Sequence, residues 1–163
     1  MAKENKTNAM RQMEAKKLPY RAHSYPHEDG AVSADRVAAV LGQEPGRVFK
    51  TLVTRGKSGR LYVFMLPSDG ELDLKKAAVC AGEKAVDMLP SKELLPMTGY
   101  VHGGCSPVGM KKLYPTWIHE TAREWETVFF SGGQIGLQME MPLDILQKAV
   151  PVKTADLLAK RDE

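Results

Sequence analysis

Cysteine is scarce in this chain: of 163 residues only Cys80 and Cys105 are cysteines, and they do not form a Cys-x-x-Cys pair. A zinc knuckle and a dithiol redox motif are therefore excluded, and sparse cysteine favours a reducing compartment. Apolar runs fall short of the roughly 20 residues of a membrane span, and residues 1–6 lack the apolar stretch of a secretory signal. We expect a cytoplasmic protein with no membrane partner, no metal and no other cofactor.

Strong charge of one sign is also missing, because the formal net charge is only +3. Dedicated DNA-binding domains are usually more basic, so DNA is not an expected partner, whereas a few phosphate contacts are compatible with this charge. Hydrophobic residues make up 43% of the chain, which suffices for a folded core. The length fits a single domain that spans residues 1–163.

The common hydrolase motifs are absent, since the sequence contains neither Gly-x-Ser-x-Gly nor His-Glu-x-x-His. His119 and Glu120 are sequence neighbours, and neighbouring side chains diverge on a strand, so they make a poor catalytic dyad. His102 precedes a glycine-rich loop, where it could reach a substrate or serve a structural role. The sequence therefore shows no nucleophile with an adjacent base.

Residues 103–109, Gly-Gly-Cys-Ser-Pro-Val-Gly, form the most informative segment. Glycine lets main-chain amides approach a ligand closely, and Pro107 fixes φ on one side of the loop. Such a loop suits binding of a carbonyl oxygen, a phosphate or a sugar edge through main-chain N–H groups. Tight turns between strands have the same composition, and the local sequence leaves both interpretations open.

Two further segments carry candidate site residues. Residues 48–53, Val-Phe-Lys-Thr-Leu-Val, are typical of a strand, with Lys50 between apolar neighbours. Lys50 is either a solvent-facing residue of a half-exposed strand or a charge that stabilises an oxyanion or a phosphate. Residues 129–137 contain a second glycine-rich turn directly after a strand-like stretch.

The apolar patterns and turn residues predict an irregular mixture of helices and strands. Helices are expected at residues 7–17, 33–42, 73–82, 91–95 and 142–146, with a last short helix capped by Thr154. Strands are expected at residues 21–25, 48–54, 61–66, 116–119, 127–131 and 137–141. Met10, Met13 and Cys80 are expected to be buried. This order predicts an α+β fold rather than a doubly wound sheet.

The three segments resemble, in order and spacing, the YbaK/EbsC family of free-standing aminoacyl-tRNA deacylases. The resemblance runs from about Thr7 to about Leu158 and so covers nearly the whole chain. The pattern Gly103-x-x-x-Pro107 is similar to the substrate loop in the editing domains of bacterial prolyl-tRNA synthetases. The family fold is a compact, mixed, mostly antiparallel barrel-like sheet flanked by helices, and we expect it here.

The resemblance also implies site residues. The critical lysine of the family falls at Lys50, which we expect to be catalytic. The substrate-binding positions implied by the resemblance are Tyr25, Thr51, Gly103, Gly104, Cys105, Ser106, Pro107, Ser131 and Gly132. An aromatic residue that some members carry near Val32 or Ser33 is absent. No role is assigned to Gln138, and Cys105 is interpreted as a replaceable loop residue.

The family activity implied is deacylation of mischarged Cys-tRNA(Pro), with Cys-tRNA(Cys) as a further substrate. In this family the substrate thiol is thought to attack its own ester, which would explain the missing nucleophile. The implied partners are the acceptor end of an aminoacyl-tRNA and prolyl-tRNA synthetase. Two alternatives stay open: a deacylase that uses water on alanyl or another small aminoacyl-tRNA, and a non-catalytic tRNA- or nucleotide-binding module.

Overall fold

The computed structural model describes residues 6–27 and 32–160. Within them the chain forms five α-helices and eight strands. The helices are α1 (Asn8–Ala15), α2 (Ala34–Val40), α3 (Leu74–Ala81), α4 (Ser91–Thr98) and α5 (Leu143–Ala149). The strands are β1 (Arg21–Ser24), β2 (Phe49–Gly56), β3 (Leu61–Pro67), β4 (Val86–Met88), β5 (Thr116–His119), β6 (Val128–Ser131), β7 (Leu137–Met141) and β8 (Val152–Ala155). None of these helices has the length and hydropathy that a membrane crossing requires.

The strands divide into two sheets. Strands β1, β7 and β6 form an antiparallel three-stranded sheet in that order. The five-stranded sheet has the order β4-β2-β3-β5-β8, antiparallel from β4 to β3 and parallel from β3 to β8. A parallel bridge between Val48 and Phe129 joins the two sheets. The α+β class and the mostly antiparallel pairing are thus confirmed, with two joined sheets rather than one closed barrel.

Strand β3 lies at the centre of the core, since every residue of Leu61–Pro67 is buried. Its side chains alternate between two faces. Val63 and Met65 belong to the larger hydrophobic cluster, whereas Phe64 and Leu66 belong to a second cluster with residues of α3. A strand covered on both faces is a continuous apolar run, as this segment is. Because β2 pairs with β3 along its length, this buried strand fixes the place of the β2 side chains.

The ends of α3 follow the predicted caps. Asp73 precedes the helix, and its carboxylate accepts hydrogen bonds from the amides of Lys75 at 2.9 Å and Lys76 at 3.1 Å. Gly82 follows the helix with a φ of 70°, which glycine adopts without steric strain. The predicted helix at residues 73–82 is therefore confirmed with its caps.

The predicted end of α4 was wrong, because the helix continues through Pro96 to Thr98. A proline inside a helix removes one N–H donor and leaves a carbonyl without its usual partner. Side chains from the following loop satisfy neighbouring carbonyls: Lys111 donates to Pro96 O at 3.1 Å and Tyr114 donates to Met97 O at 2.6 Å. These tertiary hydrogen bonds stabilise the last turn.

The last predicted helix was also wrong, because Thr154 lies in β8 and pairs with Ile118 of β5. Strands β4 and β8 have three and four residues, which is too short to show an alternating pattern. In α1, Ala9 and Met13 face the core, whereas Met10 is only half-buried.

Candidate active site

A cavity of about 330 Å³ is lined by residues of both sheets. Six of the predicted site residues lie on its wall: Tyr25, Lys50, Thr51, Gly103, Cys105 and Ser131. Lys50 and Thr51 belong to β2, Ser131 ends β6, and Tyr25 follows β1. A larger cleft of about 1170 Å³ contains none of the predicted residues. The fold thus brings together side chains from distant parts of the sequence in the smaller cavity.

Lys50 is half-buried and pairs in register with Leu66 of β3. Asp35, in the first turn of α2, lines the same cavity. The hydrogen bond from Ser33 is the main cause that lowers the pKa of Asp35, and the charge of Lys50 adds to it. Among residues 6–27 and 32–160, no carboxylate lies within the 4.0 Å of a contact ion pair from the Lys50 ammonium. Its charge is therefore available to a ligand.

Two residues of the cavity wall, Thr51 and Gln138, each have a buried side-chain oxygen, Oγ1 and Oε1, without a hydrogen-bond partner in the described part of the chain. Gln138 is 6% exposed and lies in the central strand β7, opposite His23 of β1 and Ser131 of β6. A buried polar group without a partner costs about 1–3 kcal/mol. An unpartnered oxygen in a residue of the cavity wall calls for an explanation, and a ligand or a water molecule is one.

Cys105 lies on the cavity wall but is only 7% exposed. Burial raises the pKa of its thiol to about 12, although a hydrogen bond with Thr98 acts in the opposite direction. The thiolate is the nucleophilic form of cysteine. Cys105 is therefore protonated at neutral pH, which argues against a nucleophilic role. Cys80, predicted to be buried, is half-buried in α3.

The other predicted loop residues do not line this cavity, and polar groups of two of them bond within the protein. The Gly104 amide donates to Val101 O at 2.9 Å, and Ser106 Oγ accepts from the Val108 amide at 3.2 Å. Pro107 lines a separate groove of about 200 Å³. These contacts shape the loop, and direct substrate contact by Gly104, Ser106 and Pro107 stays a prediction.

Gly132, in the second glycine-rich turn, is likewise bonded internally. Its amide donates to Leu137 O at 2.9 Å, and its carbonyl accepts from the Thr7 hydroxyl at 2.5 Å. A Cβ atom at Gly132 would lie 2.7 Å from Leu137 Cγ, so close packing explains the glycine. Of this turn, Ser131 alone among the predicted residues lies on the cavity wall.

No group of three or more His, Cys, Asp or Glu side chains in the described ranges is arranged to hold a metal ion. The charged residues on the described cavity wall are Lys50 and Asp35, and His102 adds an imidazole. The site therefore offers a cation, an anion and several neutral hydrogen-bonding groups. This set suits a substrate that carries both a phosphate and an ammonium group.

Known proteins identify the family to which this chain belongs. The sequence matches the family described as aminoacyl-tRNA editing domain over residues 28–149. The chain belongs to this family. It is 41% identical over 157 residues to EbsC of Enterococcus faecalis, which is named as a candidate Cys-tRNA(Pro)/Cys-tRNA(Cys) deacylase, and 96% of each chain is covered. The resemblance predicted from three sequence motifs is thus confirmed.

Two other relatives extend the comparison of this editing domain. The proline–tRNA ligase of Thermosipho melanesiensis is 28% identical over 87 residues, which is 53% of this chain and 15% of the ligase. The crystal structure of a candidate trans-editing enzyme for prolyl tRNA synthetase has a TM-score of 0.82 at 24% identity, with 94% of this chain and 96% of that chain covered. The latter likeness shows that the fold is shared.

Sequence reasoning left Gln138 without a role and did not name Asp35, although both are wall residues of this editing domain. Gln138 gave a weak signal, since a polar side chain in the buried strand Leu137–Met141 needs a partner or a ligand. Asp35 gave no signal, because an acidic residue in the first turn of a helix is common for its interaction with the helix dipole. Only the fold places these residues on the cavity wall that Lys50 also lines.

Proposed function

We propose that this chain deacylates mischarged Cys-tRNA(Pro) in trans, and Cys-tRNA(Cys) by the same chemistry, with the aminoacylated acceptor end in the cavity of about 330 Å³. The observation that carries the proposal is a half-buried Lys50 on the wall of a cavity whose own thiol, Cys105, is buried. Such a site can bind and polarise an ester, whereas its nucleophile comes from the substrate.

Each wall residue has a role that its chemistry supports. The Lys50 ammonium donates to the ester carbonyl oxygen or to the terminal phosphate and stabilises developing negative charge. Gly103 and Ser131 hold the terminal ribose through main-chain and hydroxyl groups. Thr51 Oγ1 and Gln138 Oε1, buried without partners in the described structure, bond to polar groups of the aminoacyl moiety.

The reaction begins when the cysteinyl sulfur attacks the carbonyl carbon of its own ester. The C–S bond forms, the C–O bond to the terminal ribose breaks, and the thiol proton passes to the leaving ribose oxygen. The products are free tRNA and a cyclic thiolactone, which water then opens to cysteine. Positioning and oxyanion stabilisation are the contributions required of the protein.

This chemistry accounts for selectivity against Pro-tRNA(Pro). Cysteine and proline have similar bulk, and a difference in size alone supplies about 1–3 kcal/mol of discrimination. Proline has no thiol, so it cannot undergo the first step. Aminoacyl-tRNA is a cytoplasmic substrate, and we propose that the protein acts there. Association with prolyl-tRNA synthetase would supply tRNA selectivity that weak, salt-sensitive phosphate contacts do not.

Deacylation of purified Cys-tRNA(Pro), Ala-tRNA(Pro), Ser-tRNA and Pro-tRNA(Pro) tests the proposal. We expect rapid loss of the cysteinyl ester only, and a loss of at least about a hundredfold in rate for Lys50→Ala, comparable to removal of an oxyanion donor. Lys57→Ala, on the exposed hairpin after β2, is the matched control and should retain full activity. Hydrolysis of the alanyl ester would require an activated water instead, and no hydrolysis of any ester would support a binding module.

A further inference from the structure

The two halves of the cavity wall come from different sheets. Lys50 and Thr51 lie on β2 of the five-stranded sheet, whereas Ser131 and Gln138 lie on β6 and β7 of the three-stranded sheet. Their relative position therefore depends on the contacts that hold β2 against the smaller sheet. A polar cluster around Arg47, directly before β2, makes such contacts.

Arg47 reaches from the start of β2 to the smaller sheet. Its Nε donates to Thr127 O at 3.0 Å, and its Nη2 donates to the Thr127 hydroxyl and to Glu140 Oε2, the latter at 3.4 Å. Thr127 Oγ1 donates to Glu140 Oε2 at 2.6 Å, and His23 Nε2 lies 2.8 Å from Glu140 Oε1. The guanidinium also lies 5.2 Å from the centre of the Phe129 ring.

This cluster is largely shielded from solvent. The side chains of Arg47 and Glu140 are 25% and 12% exposed. Burial alone raises the pKa of Glu140, but hydrogen bonds from Thr127 and His23 and the charge of Arg47 lower it overall. The carboxylate is therefore ionised at neutral pH. Removal of either charge would leave its partner mostly buried and without its counter-ion.

Both members of the pair lie close to site residues in sequence. Arg47 precedes Lys50 by three residues, and the Val48–Phe129 bridge between the sheets lies between them. Glu140 follows Gln138 by two residues on β7, so both side chains are on the same face of that strand. A shift of Arg47 relative to Glu140 would therefore change the distance between Lys50 and Gln138.

We propose that Arg47 and Glu140 are positioning residues that set the distance between the Lys50 half and the Gln138 half of the site. The planar guanidinium has a fixed fork geometry that an ammonium cannot reproduce. The effect is exerted through the placement of β2 and not through contact with the substrate. This inference rests on the proposed deacylase function for its kinetic test only.

The kinetic test compares Arg47→Lys, Glu140→Gln and the double variant with Arg55→Lys. Arg55 lies on β2 and pairs with Glu93 at 2.9 Å, with side-chain exposures of 36% and 33%, which makes it a matched control outside the cavity wall. We expect kcat of Arg47→Lys to fall at least about tenfold with KM changed less than threefold, since small misplacements reduce rates strongly. Arg55→Lys should stay within twofold of the unmodified protein. The double variant should be no slower than the worse single variant, because residues that act as a unit are non-additive.

Thermal unfolding of each variant separates positioning from stability. A purely structural role would lower the melting temperature and the folded fraction, with kcat per folded molecule unchanged. That result, or equal kcat values for Arg47→Lys and Arg55→Lys, would overturn the inference.

A structural measurement tests the positioning role of Arg47 and Glu140 without an activity assay. It therefore distinguishes failure of this inference from failure of the proposed function. In amide ¹H–¹⁵N correlation spectra, we expect Arg47→Lys to shift the signals of both Thr51 and Gln138. Arg55→Lys should leave the Gln138 signal in place. Unchanged Thr51 and Gln138 signals in Arg47→Lys would refute the inference whatever the assay shows.

Discussion

Thr7 Oγ1 donates a hydrogen bond of 2.5 Å to the carbonyl oxygen of Gly132, which lies 125 residues further along the chain. The same hydroxyl accepts a hydrogen bond from the Met10 amide at 3.2 Å and so caps α1. The next side chain, Asn8, donates to the carbonyl of Gly109. The start of α1 therefore contacts both glycine-rich loops, each of which contributes to the candidate site.

Replacement of Thr7 tests this contact. Thr7→Val keeps the shape but removes both hydrogen bonds, and loss of a helix cap alone costs about 0.5–2 kcal/mol of stability. We expect urea unfolding to show a loss of about 1–2 kcal/mol in the free energy of unfolding. Deacylation should also be slower, because Gly132 loses this hydrogen bond and the neighbouring Ser131 lies on the cavity wall. Thr7→Ser keeps the hydroxyl and should behave as the unmodified protein. A Thr7→Val variant as stable and as active as the unmodified protein would contradict this role of the hydroxyl.

Gly104 lies where the two glycine-rich loops pack against each other. A Cβ atom at this position would lie 2.9 Å from Gln134 Cα and from Ile135 N, which are backbone atoms that cannot rotate away. We expect Gly104→Ala to lose about 1–3 kcal/mol of stability in urea unfolding, as overpacked sites do. Gly46→Ala is the control, since its Cβ would lie at an ordinary 3.6 Å from the Trp125 ring. A Gly104→Ala variant as stable as Gly46→Ala would contradict this close packing.

The two glycine-rich loops also show what sequence composition does not predict. Glycine-rich loops allow close approach of a backbone, but the composition does not say whether a ligand or another loop approaches. Gly103 lies on the cavity wall, whereas Gly104 packs against the second loop. The order of the motifs, through the family resemblance, predicted that Lys50 and Ser131 belong to one site. Local patterns lack such long-range information.

The strands show the same contrast between features that the local sequence predicts and features that it does not. The β2–β3 hairpin was predictable, since two apolar runs flank a loop with Gly59. The parallel pairing of β8 with β5 was not, because Val152–Ala155 is short and its partner is remote in sequence. Gln138 was left without a role for a similar reason: its burial depends on the packing of β7 between β1 and β6.

Cys105 provides a test of the substrate-thiol mechanism. Burial raises the pKa of its thiol to about 12, so at neutral pH it is a poor nucleophile. We expect Cys105→Ala to deacylate Cys-tRNA(Pro) within about threefold of the unmodified rate, as a wall residue that takes no part in the chemistry. Iodoacetamide labelling followed by mass spectrometry should modify the half-buried Cys80 before Cys105. A folded Cys105→Ala variant without activity would instead assign the nucleophile to this thiol.

His119 links stability to pH, because it is 5% exposed and its Nδ1 accepts a hydrogen bond from the Leu157 amide at 3.1 Å. Burial lowers the pKa of His119 below its usual value, although Asp156 and Glu120 act in the opposite direction. A protonated Nδ1 could not accept this hydrogen bond. The 3.9 Å contact between His119 Nδ1 and Asp156 Oδ1 is therefore not an ion pair at neutral pH.

The direction of the pH dependence follows from proton uptake. An unfolded histidine binds its proton at about pH 6.5, and the native His119 does so only at lower pH. Between these two values the unfolded state binds more protons, so the contribution of His119 is complete above about pH 6.5 and decreases as the pH falls below it, by at most about 1.4 kcal/mol per pH unit. Urea unfolding at pH 7.5, 6.5 and 5.5 measures this slope. His119→Gln keeps an acceptor that does not titrate and should show a flatter dependence over the same range, whereas parallel curves for the two proteins would show that His119 is not the source of the loss.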